Sequence, residues 1–170
     1  EVHKRCMEAY IEDQDFFRLS GIHRDVYLRA RPKYGIKDIV LEDRFADDLS
    51  SVELAVNTEL TGSGKSAPKG YSVRTTLLDA EGRQVAQAND RAVMNIANPR
   101  LWSAERPYLY TVVVEVLDAH GNTTEATFQK HGFRKIDIVN NRVYINGRLT
   151  FFKGTNRHDI HPTLGKAIPV

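Results

Sequence analysis

Asn156, Arg157, His158, Asp159 and His161 fall within six positions near the end of a chain of 170 residues. They follow the apolar-rich run Phe151-Phe152-Lys153-Gly154-Thr155 with no turn signal between. The order predicts a strand whose carboxyl end delivers Asn156, Arg157 and His158 into a pocket, as the βα loops of a barrel do. Arginine presents a planar fork to oxygen atoms, and histidine donates to a hydroxyl that gains charge in a transition state. That combination suits a sugar site. Two alternatives stay open on the residues alone. His158 and His161 offer two ligands to a metal, although a zinc site needs a third or fourth and neither Cys6 nor any carboxylate is tied to the pair by spacing. The plainer alternative is a solvated polar loop.

A second group, Glu12, Asp13 and Asp15, brings carboxylates together. Acid–base cleavage of a glycosidic bond needs carboxylates on opposite sides of that bond, and sequence neighbours rarely face each other across a substrate. Turn capping, or one carboxylate binding a sugar hydroxyl or a cation, fits the cluster better. Trp102, the single tryptophan, offers a stacking face. It precedes the strongest strand of the chain, so packing over one end of the core is the expectation.

Such groups need a scaffold, and the middle of the chain has the pattern of one. Inward-type residues recur at every second position through Val52, Leu54, Val56 and Leu60, through Tyr71, Val73, Thr75 and Leu77, and through Val112, Val114 and Val116. This is the signature of half-buried strands. Glu53, Asn57, Glu59, Ser72 and Arg74 supply the outward face. Turn chemistry sits at Thr61-Gly62-Ser63-Gly64, Glu81-Gly82-Arg83, Ala119-His120-Gly121-Asn122, Asn140-Asn141 and Asn146-Gly147, the last suited to a two-residue hairpin. No window holds a 3.6-residue apolar period. Residues 33–137 therefore read as all-β, with about seven short strands in a two-sheet sandwich. The flanks differ: a short strand is expected at 27–29, a boundary at Arg31-Pro32, and a hairpin of 142–145 with 149–153 ahead of the polar cluster.

Composition narrows the function classes. Hydrophobic residues make up 41% and charged residues 27%, with a net charge of +2 spread along the chain, so neither nucleic acid nor a membrane is the expected partner. One cysteine, Cys6, excludes an internal disulfide framework. The opening Glu1-Val2-His3-Lys4-Arg5 lacks the order of a secretion signal and an initiator methionine, and the chain reads as a portion of something longer.

Three stretches together resemble the glycoside hydrolase family 2 β-galactosidases of the large multidomain bacterial type. The run from Glu12-Asp13-Gln14-Asp15 through Gly21-Ile22-His23-Arg24-Asp25-Val26 is similar to the end of that family's sugar-binding jelly-roll domain. Asn98-Pro99, Leu101-Trp102-Ser103, Pro107-Tyr108-Leu109-Tyr110 and Gly132-Phe133-Arg134 resemble its immunoglobulin-like domain. Asn146-Gly147 through Lys153-Gly154-Thr155-Asn156-Arg157-His158-Asp159-Ile160-His161-Pro162 resembles its first barrel strand and the loop after it. The resemblance implies a jelly-roll tail at 1–30, an immunoglobulin-like β-sandwich at 31–138, and the incomplete start of a (β/α)8 catalytic barrel at 139–170. It implies that His158, with Arg157 and Asn156, contacts a galactosyl ring, and that Asp15 binds the sugar's 6-hydroxyl and a sodium ion. It places the two catalytic glutamates and the magnesium site elsewhere in a homo-oligomeric parent, so this portion holds no catalytic residue, needs no cofactor of its own and is expected to be inert by itself. Its partners would be the other domains of the same chain. The compartment stays open between bacterial cytoplasm and periplasm. Phe17 stands where these enzymes usually carry tryptophan and Asp159-Ile160 where Glu-His is common, while Phe16-Phe17 with Ile22-His23-Arg24 also resembles the β-glucuronidases. The rival outside the enzymes is a free-standing carbohydrate-binding or adhesion module, which would display a row of exposed aromatic residues.

Overall fold

A computed structural model describes residues 7, 11, 21, 22, 24–61 and 68–169. The chain divides into two compact units, one Arg31–Phe151 and the other Glu1–Ala30 with Phe152–Val170. In the first, the alternating segments become strands because each pairs along its length and turns one row of side chains inward. Strands β1 (Ile36–Phe45), β2 (Ser51–Leu60) and β5 (Ala92–Ala97) form one antiparallel sheet. Strands β3 (Ser72–Leu78), β4 (Gln84–Asn89), β6 (Tyr110–Leu117) and β7 (Thr123–His131) form the other, in the order β4-β3-β6-β7. These are the seven strands expected between residues 33 and 137, with the crossing connections of an immunoglobulin-like β-sandwich.

Val52, Leu54 and Val56 of β2, Met94 and Ile96 of β5, Val73 and Leu77 of β3, and Val112, Val114 and Val116 of β6 are all buried, with Phe133 closing one end. Tyr110, at the start of β6, accepts the Arg100 N–H on its hydroxyl at 2.9 Å and sets its ring edge against Tyr108 and Phe133. This is the tyrosine corner of such sandwiches. Burial pushes the Tyr110 phenol above its ordinary pKa, against the opposing pull of the Arg100 N–H.

The β3–β4 and β6–β7 turns are copies of one device. Asp79 and Asp118 each accept two backbone N–H groups within their turns, and Gly82 and Gly121 both take φ of 80°. Such a left-handed glycine closes a hairpin with a bulge. Asn140-Asn141 and Asn146-Gly147 also have positive φ at both positions, as two-residue hairpins require. The turn expected at 61–64 lies largely outside the described residues.

After β7 a smaller sheet follows, in the order β10-β9-β8, from β8 (Ile136–Val139), β9 (Arg142–Ile145) and β10 (Arg148–Leu149). Two expectations are corrected here. Residues 27–29 form no strand and are exposed. The strand expected at 149–153 stops early: β10 ends at Leu149, Thr150 adds one N–H bond to Val143, and the partner strand begins at Arg142. Beyond that point the ladder has no carbonyl to offer.

Candidate functional site

The residues marked out by the sequence lie on an extended, exposed segment. Asn156, Arg157 and His158 are all exposed, and the Arg157 guanidinium pairs with the Asp159 carboxylate. With those side chains 79% and 54% exposed, water screens the pair, and it orders the segment only weakly. His161 sits in a tight turn. Its backbone exchanges two hydrogen bonds with Gly165, at 2.8 and 3.0 Å, and its Nδ1 accepts the N–H groups of Thr163 and Leu164 at 3.2 and 3.1 Å. That use of Nδ1 gives His161 a turn-capping role and takes one lone pair away from any metal. Among the described residues no group of three or more His, Cys, Asp or Glu is arranged to hold a metal ion. Asp15, with Glu12, Asp13 and Cys6, lies outside the described residues. The structure thus joins Arg157 to Asp159 and gives His161 a turn, and it leaves Asn156 and His158 on the same exposed segment.

The sandwich unit presents a different surface. Asp43 on β1 and His131 on β7 meet across the open edge of the two sheets, with His131 Nε2 3.0 Å from both carboxylate oxygens and each side chain 15% exposed. A carboxylate only accepts, so Nε2 carries the proton. At the opposite end of the same edge the Ile36 N–H donates to the Glu125 carboxylate. The pairs 36 with 125 and 43 with 131 advance together, so β1 and β7 run in the same direction and are laced by side chains.

Asp43, Trp102, Leu109, Lys130, His131, Gly132 and Arg134 line a cleft of about 360 Å³. Trp102 is half-buried, its N–H donates to Phe133 O at 2.8 Å, and Arg134 lies 4.9 Å over its ring. A methyl group at Gly132 would come within 2.9 Å of Trp102, so only glycine lets the indole sit this close. The tryptophan packs, as its place before β6 suggests, and its face is covered by a cation instead of being free to stack on a sugar. Asp43 and His131, 88 positions apart, carry no local signal in the sequence that pairs them.

The profile of the family described as glycosyl hydrolases family 2 matches residues 35–134, the sandwich from its first strand to Arg134. The chain belongs to glycosyl hydrolase family 2. A β-galactosidase of Halalkalibacterium halodurans is 38% identical over 99% of this chain, which spans 17% of that protein. The β-galactosidase of Clostridium acetobutylicum is 35% identical over 99% of the chain, and the large subunit of the Latilactobacillus sakei enzyme 38% identical over 99%, with 19% and 27% of their lengths covered. The chain therefore spans well under a third of these family 2 relatives. Among solved structures, the β-glucuronidase of Ruminococcus gnavus in complex with D-glucuronic acid superposes with a TM-score of 0.69 over 81% of this chain and 22% of its own, at 27% identity. Family 2 membership accounts for the all-β scaffold.

Proposed function

We propose that this chain is a non-catalytic stretch of a retaining family 2 glycoside hydrolase that removes terminal β-D-galactosides. The observation that carries the reading is the reach of the likeness: relatives named β-galactosidase match 99% of the chain, taking in the polar run after Phe151 as well as the sandwich. In this reading residues 1–30 end a sugar-binding domain, the sandwich buttresses it, and residues 139–170 open the catalytic barrel. Asn156, Arg157 and His158 would line the sugar pocket, with Asp15 at the 6-hydroxyl. The double displacement needs two carboxyl groups about 5–5.5 Å apart, one as nucleophile and one as acid then base. Asp159 is a poor candidate for either, being already paired with Arg157, and the resemblance to family 2 implies that the two catalytic glutamates belong to other parts of the enzyme. His158 would act on the substrate side, through a hydrogen bond to a sugar hydroxyl that strengthens in the oxocarbenium-like transition state. The sodium and magnesium of the full enzyme would bind through Asp15 and through residues outside this chain respectively, and no step here runs through either ion.

A second reading, β-glucuronidase, is favoured by solved structures that superpose on 81% of the chain at 26–27% identity. The relatives named β-galactosidase are 35–38% identical over 99% of it, and the galactoside reading is preferred on that ground. The test is hydrolysis of aryl β-galactoside and aryl β-glucuronide by the chain alone and by the full-length polypeptide that carries it. A silent chain and a galactoside-cleaving polypeptide are expected. His158→Ala in the latter should then lower kcat by about 10²- to 10³-fold without lowering its melting temperature. Turnover by the chain alone would sink the proposal, and glucuronide preference would sink its galactoside half.

A further inference from the structure

Asn146-Gly147 is the single place in the chain where asparagine precedes glycine, and that order has a chemistry of its own. The backbone nitrogen of the glycine attacks the side-chain amide carbon of the asparagine and closes a succinimide ring. The N–Cγ bond forms, the Cγ–Nδ2 bond breaks, and ammonia leaves with the proton given up by the attacking nitrogen. Water then opens the ring at either carbonyl, leaving aspartate or isoaspartate, and no other reactant is needed. Glycine favours the attack because no side chain crowds its nitrogen. Gly147 meets that condition: it is exposed, and even an added methyl would find no atom within 4 Å.

Asn146 is held away from the reaction. It is half-buried on a left-handed backbone, φ 51°, and both ends of its amide are engaged. Oδ1 accepts the Lys135 N–H at 2.9 Å, and Nδ2 donates to the carbonyl of Trp102 at 2.9 Å, 44 positions away. A two-residue turn has no need of the second bond. Its acceptor is well fixed, since the Trp102 N–H donates to Phe133 O and the indole lies between Gly132 and Arg134. Ring closure draws Cγ to covalent distance from the Gly147 nitrogen, and the amide has to leave these partners to get there.

We propose that Asn146 is a latent self-modification site, kept as an amide by its bonds to Lys135 and Trp102 and converted to aspartate or isoaspartate when the small sheet opens. Opening is within reach. The strands of that sheet are four, four and two residues long, and Ile136 and Ile138 are 55% and 74% exposed, so it buries little and opens more readily than the sandwich. Conversion makes the opening one-way. A carboxylate has no hydrogen to donate to Trp102 O, and isoaspartate lengthens the backbone of the turn and shifts the register of β9 against β10.

The test follows Asn146 by mass spectrometry in the tryptic peptide Val143–Arg148, after incubation of the chain at mildly alkaline pH, folded in buffer and unfolded in guanidinium chloride. Unfolded, Asn146 should convert faster than every other asparagine. Folded, it should convert more than about 10-fold more slowly than that. Gly132→Ala puts a methyl 2.9 Å from the Trp102 side chain and displaces the residue that supplies the acceptor. It should raise the folded rate by about 3-fold or more and leave the unfolded rate alone. Asn146→Asp stands for the product: amide exchange within β8–β10 should quicken by about 3- to 10-fold while β1–β7 keep the protection of the parent. Equal folded and unfolded rates, an Asn146 slower than other asparagines in denaturant, a parental rate in folded Gly132→Ala, or parental exchange in Asn146→Asp each overturn the inference. The parent and Asn146→Asp decide it if Gly132→Ala does not fold.

Discussion

The sandwich and the segment after Phe152 hold their residues by opposite means. Every buried hydrophobic side chain among the described residues lies between Ile36 and Phe133, whereas residues 152–160 are exposed without exception. In the first region, what a residue is follows from where its side chain points, and a wrong choice opens a cavity or buries a charge. In the second, a residue's type is nearly free of folding constraints. Asn156, Arg157 and His158 contribute nothing to the buried core.

The contrast is sharpest at Phe133. Its ring is fully buried, 4.9 Å from both the Tyr110 and His131 rings. Phe133→Ala should destabilise the unit by about 3–5 kcal/mol, a large share of the roughly 5–15 kcal/mol that holds a domain of ordinary size. Urea denaturation followed by Trp102 fluorescence measures it. Asn156→Ala should stay within about 0.5 kcal/mol of the parent in the same assay. Equal losses in the two would erase the distinction between the regions.

Thr75 sharpens the comparison in the other direction. It is fully buried in β3, opposite Val114 on β6 and Ala88 on β4, and its hydroxyl has no hydrogen-bond partner among the described residues. An unpaired buried hydroxyl costs about 1–3 kcal/mol. Thr75→Val keeps the branched shape that suits a strand and removes the orphan oxygen. The urea midpoint should rise, by the equivalent of about 1 kcal/mol. A fall would mean that the hydroxyl is satisfied in solution.

These two residues also mark what the sequence discloses. Thr75 sits in an alternation of Val73 and Leu77 that announces its inward face whatever its chemistry, and β2, β3 and β6 read out in the same way. The hairpin turns were legible because left-handed backbone leaves few residue types to choose from, as Asn140-Asn141 and Asn146-Gly147 illustrate. Edge strands hide better: β1 is buried at Ile36 alone and β7 nowhere, so the period is lost to half-exposed positions. Residues 149–153 misled because strand propensity is a property of a segment and a ladder is a property of two. The partner ran out at Arg142. As for the polar run, residue type and order were visible, but the long-range links of the sandwich unit, Asn146 to Trp102 and Asp43 to His131, join positions that no single-sequence pattern connects.

Arg74 and Glu115 give the smallest expected effect and the subtlest test, because here a pair of charges sits on the sandwich's outer face, less exposed than the pair beyond Phe152. The two residues are directly opposite on β3 and β6, with Arg74 Nε and Nη2 donating to the Glu115 carboxylate at 2.8 and 2.9 Å and side chains 35% and 20% exposed. Thr123 adds a third bond to the carboxylate. The hydrogen bond from Arg74 is the main cause that holds Glu115 below the usual glutamate pKa, with Thr123 helping and partial burial opposing. A carboxyl with a depressed folded pKa stabilises the fold above its unfolded value of about 4.3, and that contribution fades as pH falls through the folded value. Glu115→Gln keeps the shape without the charge. Its deficit against the parent should be full at neutral pH and shrink steadily below about pH 4.3, as urea midpoints across the acid range would show. The paired charges of the exposed segment, Arg157 and Asp159, are water-screened, and Asp159→Asn should change the urea midpoint at neutral pH by the equivalent of less than about 1 kcal/mol. A larger loss would move the line drawn between the two regions.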